Sequence, residues 1–183
     1  MKKVLLFVIV ASLAVLLFGC GGSDDKKPSK DVAAKVENKK DTDKEDFKSY
    51  VNDVTPIINE IAQSFGKDFE DLKQQNVDGK INDAELGEAI GSNLVPQGVK
   101  LQDKVEQIRP PKKLRDTHEL LINMIAKNQQ AMTEIVAAIS AGDASKITSA
   151  NDLLTEARKL ERDYAYEMED IAKGYGLELS DMK

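Results

Sequence analysis

Apolar residues recur along this chain at helical spacing in four successive stripes. The first runs through Phe47, Tyr50, Val51, Val54, Ile57, Ile58, Ile61, Phe65, Phe69 and Leu72. Steps of three and four put such residues on one face of an amphipathic helix. Thr42-Asp43-Lys44-Glu45 reads as a capping box that starts this helix, and Pro56 is expected to kink or split it. The second stripe is Leu86, Ile90, Leu94, Leu101, Val105 and Ile108, with Pro96 and Gly98 expected to interrupt it and Pro110-Pro111 to end it. The third alternates four and three through Leu114, His118, Leu121, Ile125, Asn128, Met132, Ile135 and Ile139. Gly142 should stop that helix, and Asp143 should cap the next. The fourth stripe is Ile147, Ala150, Leu154, Ala157, Leu160, Tyr164, Met168, Ile171 and Tyr175, ending at Gly174 and Gly176. The very short link between the third and fourth helices makes them antiparallel, and no alternating β-branched run competes. The pattern predicts an all-α, up-and-down four-helix bundle over residues 45–177, with 178–183 as a C-terminal tail.

Upstream the pattern is different. Lys2 and Lys3 precede an unbroken apolar run from Val4 to Phe18, followed by Gly19 and Cys20. At about 1.5 Å per residue this run is short for a hydrocarbon core of about 30 Å. A basic head, an apolar middle and a small residue before a break are the parts of a secretory signal peptide. The segment around Leu17, Gly19 and Cys20 resembles the lipobox of bacterial lipoproteins. That resemblance implies that residues 1–19 are a lipoprotein signal peptide. It further implies that the Cys20 thiol receives diacylglycerol, and that Cys20 becomes the acylated, palmitate-bearing N-terminus. The expected address is the extracytoplasmic face of the cell membrane, held by lipid. Cys20 is also the only cysteine, so the bundle must fold without a disulfide.

Residues 20–44 are charged and nearly devoid of large apolar side chains, and are read as a flexible tether. A coil of that length reaches about 25–30 Å. Removing residues 1–19 takes away two lysines and shifts the formal net charge from −6 to −8. That balance argues against nucleic acid as a partner. No tryptophan is present and aromatics are 5 % of the chain, which gives little material for stacking sugars or bases.

One stretch has the look of a site. Gln74 to Glu85 resembles the EF-hand calcium loop, with Gly79 at the sharp-turn position. The resemblance implies calcium held by side chains of Asn76 and Asp78, the carbonyl of Lys80, Asn82 through water and Glu85. Gln74 stands where that family has aspartate. A second reading uses the same residues: Asp78-Gly79 as a turn, and Asn82 with Glu85 as a capping box for the next helix. His118, the sole histidine, lies on a core stripe and is expected buried and hydrogen-bonded. With Asn128 it is expected to form polar layers that set helix register. Met124, Met132 and Met168 read as core filler. Tyr164, Tyr166 and Tyr175 with Glu161, Glu167 and Glu169 read as a solvated face beside a core stripe. Pro110-Pro111 followed by His118 and Leu121 is similar to the opening of a helix in small helical lipoproteins of Gram-positive bacteria, a similarity that implies no particular activity.

No nucleophile elbow, phosphate loop or zinc signature occurs, so the sequence points away from an enzyme. The expected function is a non-catalytic binding module with a protein or cell-wall partner. The alternatives are a calcium-binding module and a small-ligand carrier, for which a pocket of several hundred Å³ would speak.

Overall fold

The computed structural model describes residues 30–181, and among these no strand occurs. Helices form an all-α, up-and-down four-helix bundle, as the stripes predict. The first helix is continuous over 30–77: α-helical at Lys30–Ile61, π-helical at Ala62–Asp68 and α-helical again at Phe69–Val77. The second covers 83–107, again with a π stretch, Ile90–Leu94, between Asp83–Ala89 and Val95–Gln107. A 3-10 turn at Lys112–Leu114 leads into the third helix, Arg115–Ala141, and the fourth is Ala144–Gly174.

The helices run through Pro56, Pro96 and Gly98, and two π stretches lie elsewhere along them. In an α-helix a step of four residues overshoots one turn by about 40°. Ile57, Ile61, Phe65 and Phe69 are successive steps of four, as are Leu86, Ile90, Leu94 and Gly98. Uncorrected, that drift would carry the stripe out of the core. The π turns take it back, and all eight residues stay buried. The third and fourth helices mostly alternate threes and fours and need no such correction. A π turn also misaligns backbone partners. Ser64 and Ser92 each answer this by donating a hydroxyl hydrogen bond to the carbonyl four residues back, Glu60 at 2.5 Å and Glu88 at 2.7 Å. Pro96 lies just past the second π stretch, separated from it by Val95, and the helix runs on. Pro56 does not split the first helix either; Thr55 donates to the Val51 carbonyl on the turn it disturbs.

The start of the first helix is a second correction. Its backbone is helical from Lys30, so Thr42 is an interior residue and not an N-cap, and 30–44 is not the flexible tether expected. Elongating a formed helix costs far less than nucleating one, and Ala, Lys and Glu in this stretch are good helix formers. Expectations for 20–29 lie outside the described residues. In the C-terminal tail, Leu179 packs on the core and Leu179–Asp181 forms a 3-10 turn.

The core runs the length of the bundle, with Phe47, Ile90, Leu101, Leu121, Ile125 and Met132 essentially inaccessible. Each such side chain contributes about 1.5–3 kcal/mol on burial. Glycines set how closely the second helix approaches its neighbours. A methyl group at Gly98 would lie 3.1 Å from both Phe65 and Gln129, and one at Gly87 would lie 3.0 Å from Ile139. The turn between the third and fourth helices forms as the sequence predicts. Gly142 takes φ 61°, the Asp143 N–H donates to the Ala138 carbonyl, and the Asp143 carboxylate accepts from the Ser145 N–H and hydroxyl.

Candidate binding cleft

The buried polar centre lies at one end of the bundle. His118 is only 3 % exposed. Its Nε2 is 3.2 Å from the Val105 carbonyl, which can only accept, so Nε2 carries the proton. Nδ1 is then an acceptor, and the Tyr50 hydroxyl donates to it at 3.0 Å. Burial holds the imidazole below its ordinary pKa, a pull that outweighs the Val105 carbonyl. Burial likewise raises Tyr50 far above the ordinary tyrosine value and pushes Tyr164 up to about 12, so both remain donors at neutral pH. The Tyr164 hydroxyl lies close enough to bear on Tyr50 but is left without a hydrogen-bond partner. One histidine thus ties the third helix to the first and second. Asn128, expected to do the same, instead donates to the Met124 carbonyl of its own helix, at 3.0 Å. A rotamer turned back along its own helix satisfies its amide, which no residue pattern announces.

At the other end, the 74–85 segment is a turn between the first and second helices. Gly79 takes φ 68°. Asn82 accepts from the Glu85 N–H at 3.0 Å, and Glu85 accepts from the Asn82 N–H at 2.8 Å, a complete capping box. Asp78 pairs with Lys80 at 2.9 Å and accepts from Gln74 at 2.7 Å, and these partners lower its pKa in that order. The Asn76 amide donates to Asp83 and to the Ile81 carbonyl. Of the oxygens the calcium reading uses, Asn82 Oδ1 and one Glu85 oxygen are engaged in the cap, and the Asp78 carboxylate with an ammonium and an amide. Among the described residues, no group of three or more His, Cys, Asp or Glu is placed to hold a metal ion. The segment forms the turn at Gly79 and the capping box that the second reading describes.

Beside this turn opens a cleft of about 640 Å³. Its walls are Phe69 and Lys73 of the first helix and Ile147, Leu154 and Arg158 of the fourth, with Leu86 closing one side. Ile135, Ala138 and Ile139 of the third helix form the floor. A smaller cleft of about 190 Å³ continues along the same seam and shares Phe69, Leu154 and Arg158. Further along, the seam closes where Phe47 meets Tyr175, ring centroids 5.7 Å apart. The cleft exists because the fourth stripe enters the core late: Ile147 is 37 % exposed, whereas Ala150 is buried.

The charges around the cleft are unequal. Asp143 is spent on capping the fourth helix, and its pKa is lowered by Ser145. Asp83 accepts from Asn76 at the start of the second helix, where an anion is also favoured by the helix dipole. Lys73 pairs with Glu70 at 2.9 Å and lies 5.2 Å from the centre of the Phe69 ring. Among the described residues, Arg158 makes no ion pair or hydrogen bond. Neither Arg158 nor the cleft is marked by the stripes or motifs of the sequence. The signal within reach was Ile147, an apolar residue in the first turn of the fourth helix.

The other expectations resolve simply. Leu17, Gly19 and Cys20 lie outside the described residues. Met124, Met132 and Met168 are buried core side chains. Tyr164 is buried, Tyr166 is exposed and Glu169 pairs with Lys173, a solvated face beside the core. Glu167 accepts from buried Thr117 at 2.7 Å. No described helix is long and apolar enough to cross a membrane. No family model, curated protein or solved structure matches the chain.

Proposed function

We propose that this protein is a non-catalytic binding module, held by lipid on Cys20 at the extracytoplasmic face of a bacterial membrane, that takes its ligand in the end cleft. The observation that carries this reading is where the cleft lies. The first helix starts at Lys30, and the cleft is formed by its far end. From Lys30 to Lys73 the helix rises about 65 Å, so an anchor at Cys20 leaves the cleft facing away from the lipid surface. A filled core supports an end site over a carrier cavity inside the bundle: Leu121, Ile125, Ala131 and Met132 are fully buried. The non-catalytic reading draws on His118, whose ring nitrogens are both engaged in structural hydrogen bonds.

Two measurements test it. Cells fed an alkyne-tagged palmitate should label the full chain, and Cys20→Ser should lose the label and leave the membrane fraction; a labelled, membrane-bound Cys20→Ser protein sinks the anchor. Native mass spectrometry of the full chain extracted from membranes should show a retained ligand that Ile147→Trp, at the cleft wall, displaces. Equal retention by both proteins sinks the cleft.

A further inference from the structure

We infer that the end cleft binds an apolar-tailed anion, a carboxylate or phosphate carried on an alkyl chain, with its head on Arg158. The inference rests on the reading of the cleft as the binding site. The interior offers the tail Phe69, Leu86, Ile135, Ile139 and Leu154. Its volume, about 640 Å³, falls in the range of small-ligand sites.

The head group follows from which charges remain free. The carboxylates at the rim, Asp83 and Asp143, already accept hydrogen bonds at the starts of two helices. Lys73 is held by Glu70. Arg158 alone of these is uncommitted, and it lies where the two clefts meet. A guanidinium beside an apolar surface matches carboxylate or phosphate with paired donors.

A cleft floored by apolar side chains, with one free guanidinium at its rim, suits a flexible chain ending in one charge.

The experiment uses the full chain in phosphatidylcholine vesicles, irradiated with photoreactive analogues of dodecanoate, dodecyl phosphate, dodecanol and dodecylamine. The expected result is labelling of Phe69, Ile139 or Leu154 by an anionic probe, and the carboxylate and phosphate arms identify the head group. Arg158→Ala should lower that labelling about tenfold, the scale of one lost charge-assisted hydrogen bond, with Arg158→Lys keeping part of it. Arg158 is exposed and unpaired, so circular dichroism should show both variants folded like the parent. Equal labelling by dodecanol or dodecylamine, or an unchanged yield in Arg158→Ala, overturns the anion and leaves the cleft standing. Preferred labelling by a photoreactive amphipathic helical peptide overturns the ligand class. If no probe labels the cleft of the folded protein, the binding-site reading falls as well.

Discussion

Tyr50 and Tyr164 are buried tyrosines that differ in one respect: the Tyr50 hydroxyl donates to His118 and the Tyr164 hydroxyl has no partner. Deleting the same oxygen from each should therefore have opposite effects. Tyr50→Phe leaves the Nδ1 lone pair of His118 buried without a donor, which costs about 1–3 kcal/mol. In a domain of this size that lowers Tm by roughly 3–10 °C. Tyr164→Phe removes an unsatisfied hydroxyl from the core and should be neutral or stabilising by up to about 1 kcal/mol. The pH dependence adds an independent check. The folded protein holds His118 below its ordinary pKa, so below about pH 6.5 the unfolded chain binds more protons than the folded one. Stability is full above that value and falls as the pH drops, by at most about 1.4 kcal/mol per unit, until folded His118 itself takes a proton. Urea denaturation followed by far-UV circular dichroism should show the parent less stable at about pH 5.5 than at about pH 8, and Tyr50→Phe less stable than Tyr164→Phe at both. Equal destabilisation by the two tyrosine variants, or a parent whose stability does not fall over that range, would refute the reasoning.

Three further outcomes follow from the packing. Gly98→Ala places a methyl against Phe65 and Gln129 and should destabilise by about 1–3 kcal/mol. Gly66→Ala meets nothing within 4 Å and should stabilise by about 0.5–1 kcal/mol; thermal melts that rank the pair the other way would contradict the helix contacts. Asn82→Ala removes the acceptor of the capping box and should cost about 0.5–2 kcal/mol. Millimolar calcium should leave Tm unchanged, because a ligand that binds the native state raises it; a calcium-dependent rise of several degrees would reinstate the loop as a metal site. Gly142→Ala forces a side chain into the left-handed region at φ 61° and should lower stability by about 1 kcal/mol in the same melts.

Much of the bundle was legible in the apolar stripes. Residues at helical spacing have one way to leave water together, so the stripes identified the core positions, from Phe47 through Met168, before any coordinates. The short link at Gly142-Asp143 dictated its own geometry, because a left-handed glycine and a side-chain cap are local chemistry. The π turns were also present in the sequence, as runs of steps of four through Ile57–Phe69 and Leu86–Gly98. Reading Pro96 and Gly98 as breakers obscured them, since local propensity was weighed before periodicity.

The site was less legible. Gln74 to Glu85 carries the residue types of a calcium loop, and types alone do not say which atoms are already bonded. The capping box and the Asp78–Lys80 pair engage oxygens of Asn82, Glu85 and Asp78. The cleft depends on residues of all four helices brought to one end, and Arg158 is notable only because no described side chain pairs with it. What the sequence by itself determined is an all-α chain with four amphipathic stripes, its turns and its interior, since burial and capping are set by residues near one another along the chain. What only the tertiary structure decided is which polar groups find partners and where helices fail to close. Both depend on side chains far apart in sequence: Tyr50 meets His118 across 68 residues, and no local pattern encodes that meeting.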